Sequence, residues 1–296
     1  MTFNDDSQLS GGKVRRRGRT AGIAVGGGAI GVIVLALLGS FLGVDLSSLG
    51  GLVGGGGDGG SATSTEVACP TGADANANVD CRLEGGAESL DRYWTSTTPA
   101  LGANYTTPAG GVVLFEDQTT TGCGAASAAV GPFYCPTDQT IYLDTDFFEE
   151  LRTRFGGSSG SLAQLYILGH EWGHHIQNLT GAMSSADRSG TGPDSDSVRL
   201  ELQADCYAGA WIGDAATVPD ETGTPYLKEP TRDEVAQALS AASAVGDDRI
   251  QESATGSVNP EAWTHGSAEQ RERWFEVGYS SDATACDTFS VAASAL

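Results

Sequence analysis

Ser161-Leu162-Ala163-Gln164-Leu165-Tyr166-Ile167-Leu168-Gly169-His170-Glu171-Trp172-Gly173-His174 decides how this chain is read. Its lead-in has apolar residues at helical spacing, and Leu179-Thr180-Gly181 leads out with a glycine suited to a C-terminal cap. Histidines four apart on a helix share a face, so His170 and His174 can each aim a ring nitrogen at one metal ion. Glu171 lies roughly a quarter-turn round the same helix. It can reach a water held at the metal without being a ligand, which is the geometry of a general base.

Catalytic zinc takes three protein ligands and keeps a fourth position open, so a third donor must come from elsewhere. The chain has four histidines. His175 adjoins His174 and points off the shared face, as a packed or hydrogen-bonding residue. His265 could supply the bond, but residues 197–209 form a second amphipathic pattern in which Glu201 and Asp205 are four apart. The expected arrangement has His170, His174 and Glu201 as ligands of one Zn2+ per chain. Asp205 then accepts the outer N–H of a ligating histidine and fixes its tautomer.

These motifs resemble the bacterial neutral zinc metallopeptidase family, membrane-anchored relatives of the group in which thermolysin also uses two histidines and a glutamate. The matching pieces run along nearly the whole chain. They are Gly11-Gly12 with a basic run, Gly131-Pro132-Phe133-Tyr134-Cys135-Pro136 with Ile141-Tyr142-Leu143-Asp144, and the metal helix continuing His174-His175-Ile176-Gln177. Residues 201–209, Thr264-His265-Gly266-Ser267 with Gln270-Arg271 and Trp274-Phe275, and Cys286-Asp287-Thr288-Phe289 complete the set. The resemblance implies a zincin-like hydrolase of peptides or unfolded proteins, with Glu171 as catalyst. Nothing is carried across the Gly/Ser tract.

Composition bounds the setting. Of a net charge of −22, residues 1–44 contribute five basic and two acidic side chains, so the remainder is strongly acidic. Such a surface excludes nucleic-acid binding and speaks mainly to solubility. Residues 21–44 carry no charge and are long enough for one transmembrane helix. No convincing small-residue cleavage site follows, which disfavours a cleaved signal. Lys13, Arg15, Arg16, Arg17 and Arg19 precede the run, which predicts a cytoplasmic N-terminus and an extracytoplasmic enzyme domain in a single-pass cell-membrane protein. The expected layout is a basic tail over 1–20, the span over 21–44, a flexible Gly/Ser linker over 45–66 reaching roughly 25 Å, and the zinc domain over 67–296.

All six cysteines fall in the expected outer part, and no C-x-x-C spacing suggests a thiolate cluster. An even number in an exported domain argues for disulfides. Two short loops, Cys69–Cys81 and Cys123–Cys135, leave Cys206–Cys286 to tie the ligand helix to the C-terminus.

A coarse pass predicts helices near 83–94, 146–155, 232–245 and 267–275 besides the two metal helices, and strands at 112–116 and 141–144. That is an α+β domain, mainly helical with a small sheet. The strand at 141–144 is expected to offer an open edge for an extended peptide. Peptide hydrolysis also needs a donor for the oxyanion. His265 can be that donor or can cap the last helix, with Tyr142 and Tyr207 as weaker substitutes. Two other functions fit parts of the pattern: a non-catalytic zinc-containing peptide-binding module, and a zinc hydrolase of non-peptide amides. A structural site would gain nothing from Glu171 and would be closed by a fourth protein ligand.

Overall fold

Side-chain caps mark where the helices begin. In the computed structural model, which describes residues 2–18, 64–127 and 130–296, Thr71 and Asp74 form a reciprocal capping box at the start of α1 (Gly72–Ala77). The Asn78 carboxamide accepts the first N–H groups of α2 (Val79–Thr97). Helices α3 (Phe147–Thr153) and α4 (Ser161–Thr180) follow. Ser195 caps α5 (Asp196–Asp214), and a Thr231/Glu234 box starts α6 (Arg232–Ala244). After α7 (Asp247–Thr255), a Ser267/Gln270 box starts α8 (Ala268–Ser280).

Strands β1 (Val14–Arg17), β2 (Ser64–Glu66), β3 (Gly111–Phe115), β6 (Phe133–Cys135) and β7 (Thr140–Asp144) make one mixed sheet in the order β2-β1-β3-β7-β6. The pairs β1–β3 and β3–β7 are parallel, and the flanking pairs antiparallel. Strands β4 (Gln118–Thr121) and β5 (Gly124–Ser127) form a separate hairpin. The architecture is mixed helix and sheet, mainly helical with a small sheet, as the periodicity indicated.

Two expectations need correcting. β7 is hydrogen-bonded on both sides, by β3 and β6, so it has no open edge; its continuous apolar burial reads as an interior strand. The first residues are also not a tail apart from the domain. Phe3, Leu9 and Val14 are buried in the main core, and β1 lies between β2 and β3. The run of residues 21–44 and nearly all of 45–66 lie outside the described residues. Among the described residues no helix is long and apolar enough to cross a membrane.

The core centres on α4. Its own Tyr166 and Trp172, with Trp94, Trp211 and Phe275 from neighbouring helices, are fully buried. Helices α4 and α5 approach closely because Gly173 carries no side chain: a Cβ there would stand 3.0 Å from Ala204 Cα. Helices α5 and α8 touch backbone to backbone, since a Cβ on Gly278 would lie 1.9 Å from the Cys206 carbonyl oxygen, an impossible contact. Disulfides join Cys69 to Cys81, Cys123 to Cys135, and Cys206 on α5 to Cys286 in the C-terminal segment.

Candidate metal centre

The closeness of α4 and α5 sets the site. His170 and His174 sit one turn apart on α4, and α5 brings Glu201 across from them. Glu201 Oε2 lies 3.2 Å from His170 Nε2, and Oε1 lies 3.5 Å from His174 Nε2. One ligand atom from each residue falls within 4.8 Å of the others, and this is the cluster with metal-binding spacing found among the described residues. Ligand atoms around a tetrahedral zinc with bonds of roughly 2.0–2.1 Å are about 3.3 Å apart. The two carboxylate–imidazole distances match that figure, and two imidazoles with one carboxylate are a donor set zinc accepts with a position left open. The residues present therefore fit the ion.

The outer ring nitrogens are each fixed. His170 Nδ1 donates to Asp205 Oδ1 at 2.8 Å, leaving Nε2 as the lone-pair nitrogen facing Glu201. His174 Nδ1 donates to the Gln177 carboxamide oxygen at 2.8 Å, whose NH2 donates in turn to Leu200 O at 2.6 Å on α5. Gln177 thus orients a ligand on α4 and clips α4 to α5 just before Glu201. Asp205 is completely buried and takes a two-pronged bond from Arg271 on α8, at 2.8 and 2.9 Å. The Tyr166 hydroxyl donates to Asp205 as well, and Arg271 reaches that hydroxyl at 3.2 Å.

Electrostatics follow from this crowding. Burial works to raise the Asp205 carboxyl, but the Arg271 charge and the hydrogen bonds from His170 and Arg271 outweigh it and hold the group below its ordinary value. Burial likewise opposes ionisation of Glu201, and His174 and His170 together hold it well below the usual carboxylate range. Both carboxylates stay charged, which makes the pocket attractive to a cation. Glu171 is buried beside the same cluster, and burial pushes its carboxyl up.

His175 and the remaining candidates take other places. His175 is fully buried; its Nε2 donates to Thr106 O at 2.7 Å and its Nδ1 accepts from the Tyr134 hydroxyl at 3.0 Å, so it is a hydrogen-bonding histidine. His265 stands just before α8 with its side chain 49 % exposed and Nδ1 3.3 Å from Asp247 Oδ1. It is close enough to Glu201 for the two charges to interact. Tyr142 donates to Asp138 in the turn between β6 and β7, and Tyr207 packs edge-on against Trp94 in the core.

Arg271, Tyr166, Gln177 and Asp247 escaped the sequence reading as participants. Tyr166 and Gln177 had a usable signal, lying four residues before His170 and three after His174 on the same helix. Arg271 stood out only as part of a family motif, and nothing local tied it to Asp205, 66 residues away.

Residues 3–289 match the family model described as "Putative neutral zinc metallopeptidase". The chain belongs to that family. It is 52 % identical over 226 residues to "Uncharacterized protein Rv2575" of Mycobacterium tuberculosis (strain H37Rv), covering 76 % of this chain and 75 % of that one. It is 39 % identical over 202 residues to "Uncharacterized protein YpfJ" of Escherichia coli (strain K12), covering 66 % of each. No solved structure matches it.

Proposed function

We propose that the protein is a zinc-dependent peptidase acting on peptides or unfolded proteins, with its zinc domain outside the cytoplasm and residues 21–44 holding it to a membrane. The observation that supports the chemistry is the convergence of His170, His174 and Glu201 with Glu171 buried beside them. Export is supported by the pairing of all six cysteines.

When bound, zinc supplies Lewis acidity toward a water and the scissile carbonyl. Asp205 and Gln177 hold the two imidazoles in the ligating tautomer and aim them. Glu171 takes the proton of the attacking water and returns it to the leaving amine. His265, held by Asp247, donates to the oxyanion that forms on the carbonyl. An extended substrate adds to β6, which pairs only with β7 among the described strands and lies against α4 through the Tyr134–His175 bond.

The test uses the full-length chain purified in detergent, with metal content and cleavage of an unfolded protein measured for wild type and Glu171→Gln. Expected are one zinc per chain in both and a rate at least 10²-fold lower in the variant, on the order of what a positioned general base contributes. Zinc in both with equal rates would remove Glu171 from the mechanism. Zinc with no turnover in wild type, even on a peptide library, would favour a peptide-binding module or a hydrolase of other amides.

A further inference from the structure

We propose that residues 2–18 are an integral strand segment of the zinc domain and lie on the same side of any membrane as the zinc site. The chain that follows Arg17 would then leave the domain and return to it at Ser64 on that one side.

The segment occupies a built slot. Two glutamates one helical turn apart on α2, Glu84 and Glu88, are 0 % and 3 % exposed and point at it. The Glu84 carboxylate accepts the backbone N–H groups of Lys13 at 2.9 Å and Val14 at 2.6 Å, one on each oxygen. Glu88 accepts the N–H groups of Ser10 at 3.0 Å and Gly11 at 2.7 Å. A domain lacking residues 10–14 would keep two buried carboxylates with most of their donors gone, which is strongly destabilising. It would also lose a strand from within its sheet, since β1 bonds β3 on one side and β2 on the other.

The basic run is matched the same way. Arg16 makes a forked bond to Asp80 at 2.7 and 2.9 Å and a third to Glu116 at 2.9 Å. Lys13 pairs with Asp91 at 2.7 Å, and Arg17 donates to Thr119 and Thr120 of β4. Lys13, Arg16 and Arg17, three of the five charges that read in the sequence as marking a cytoplasmic tail, have partners in the domain itself.

These are contacts of about 3 Å, and a bilayer's hydrocarbon core is about 30 Å thick. The tail and the domain cannot make them from opposite faces. Arg17 and Ser64 are direct antiparallel partners, so the chain leaves β1 and re-enters β2 at the same end of that strand pair. On this geometry residues 21–44 would hold the protein to a membrane without carrying the chain from one side to the other. Nothing in this inference depends on the metal.

The experiment places one reporter cysteine at a time in the full-length chain in intact cells. Exposed Gln8→Cys and Asp6→Cys report on the segment, and exposed Ser253→Cys, on α7, reports on the domain. Labelling by a membrane-impermeant maleimide is compared before and after permeabilisation; two segment reporters guard against one variant failing to fold. Expected is the same response, within about twofold, for segment and domain, whichever compartment they share. A segment reporter gaining roughly tenfold or more on permeabilisation while Ser253→Cys gains nothing, or the reverse, would overturn the proposal.

Discussion

Replacing Arg271 by methionine removes the cation that neutralises a buried carboxylate while leaving an apolar side chain of comparable length. Asp205 is 0 % exposed and Arg271 3 % exposed, and they share two bonds of 2.8 and 2.9 Å. Losing one partner of such a pair costs about 3–5 kcal/mol, because the other charge is left buried. With an unfolding entropy of about 2.1 cal/mol/K per residue, a domain of about 250 residues loses roughly 6–10 °C in Tm. The same change frees Asp205 to shift against His170, so zinc affinity should fall by about 10–100-fold. Thermal unfolding with and without chelator reads the first effect, and competition titration with a zinc indicator the second. Adding Asp205→Asn to Arg271→Met should recover part of the lost Tm by removing the stranded charge. If Arg271→Met melts and binds zinc like wild type, or if the double variant falls by the sum of the two single losses, the ion-pair reasoning is refuted.

Replacing Cys206 and Cys286 by alanine opens a loop of 80 residues and should cost about 4.5 kcal/mol, read from urea midpoints. Gly278→Ala puts a Cβ where the Cys206 carbonyl oxygen stands, so α5 and α8 must part; a loss of about 3 kcal/mol and weaker zinc binding are expected, and a wild-type melting curve would refute the contact. Burial pushes the Glu84 carboxyl up to about 7 from 4.5. The folded state therefore keeps a proton that the unfolded chain has lost between those values, and stability declines as pH rises through that window, by about 3 kcal/mol in all. Glu84→Gln should flatten this decline between about pH 5 and 8 while lowering stability overall, since its amide can accept only one of the two N–H groups; an unchanged slope in urea midpoints would count against it.

The metal helix was legible because its chemistry needs a four-residue interval that the helix itself supplies, and Glu201 with Asp205 repeated that interval on α5. What stayed hidden depended on distant partners. Arg271 looks like any arginine on an amphipathic helix until α8 crosses α5 at Gly209 and Gly278. The segment from Phe3 to Arg17 is polar, basic and followed by an uncharged run, so its local pattern argues for a tail. Its place in the sheet is set by Glu84 and Glu88, 70 or more residues away. The strand at 141–144 was recognised, but its local pattern could not show that β3 and β6 would cover both sides.

The antiparallel pairing of Arg17 with Ser64 has a practical consequence. An Asn-Gly dipeptide joins two such strands as a tight hairpin, so residues 18–63 can be excised and the cut ends ligated through that turn. The product should be a water-soluble miniature retaining β1, the Glu84 and Glu88 clasps and the zinc ligands. A truncation that simply starts at Cys69 would discard the very strand those carboxylates hold.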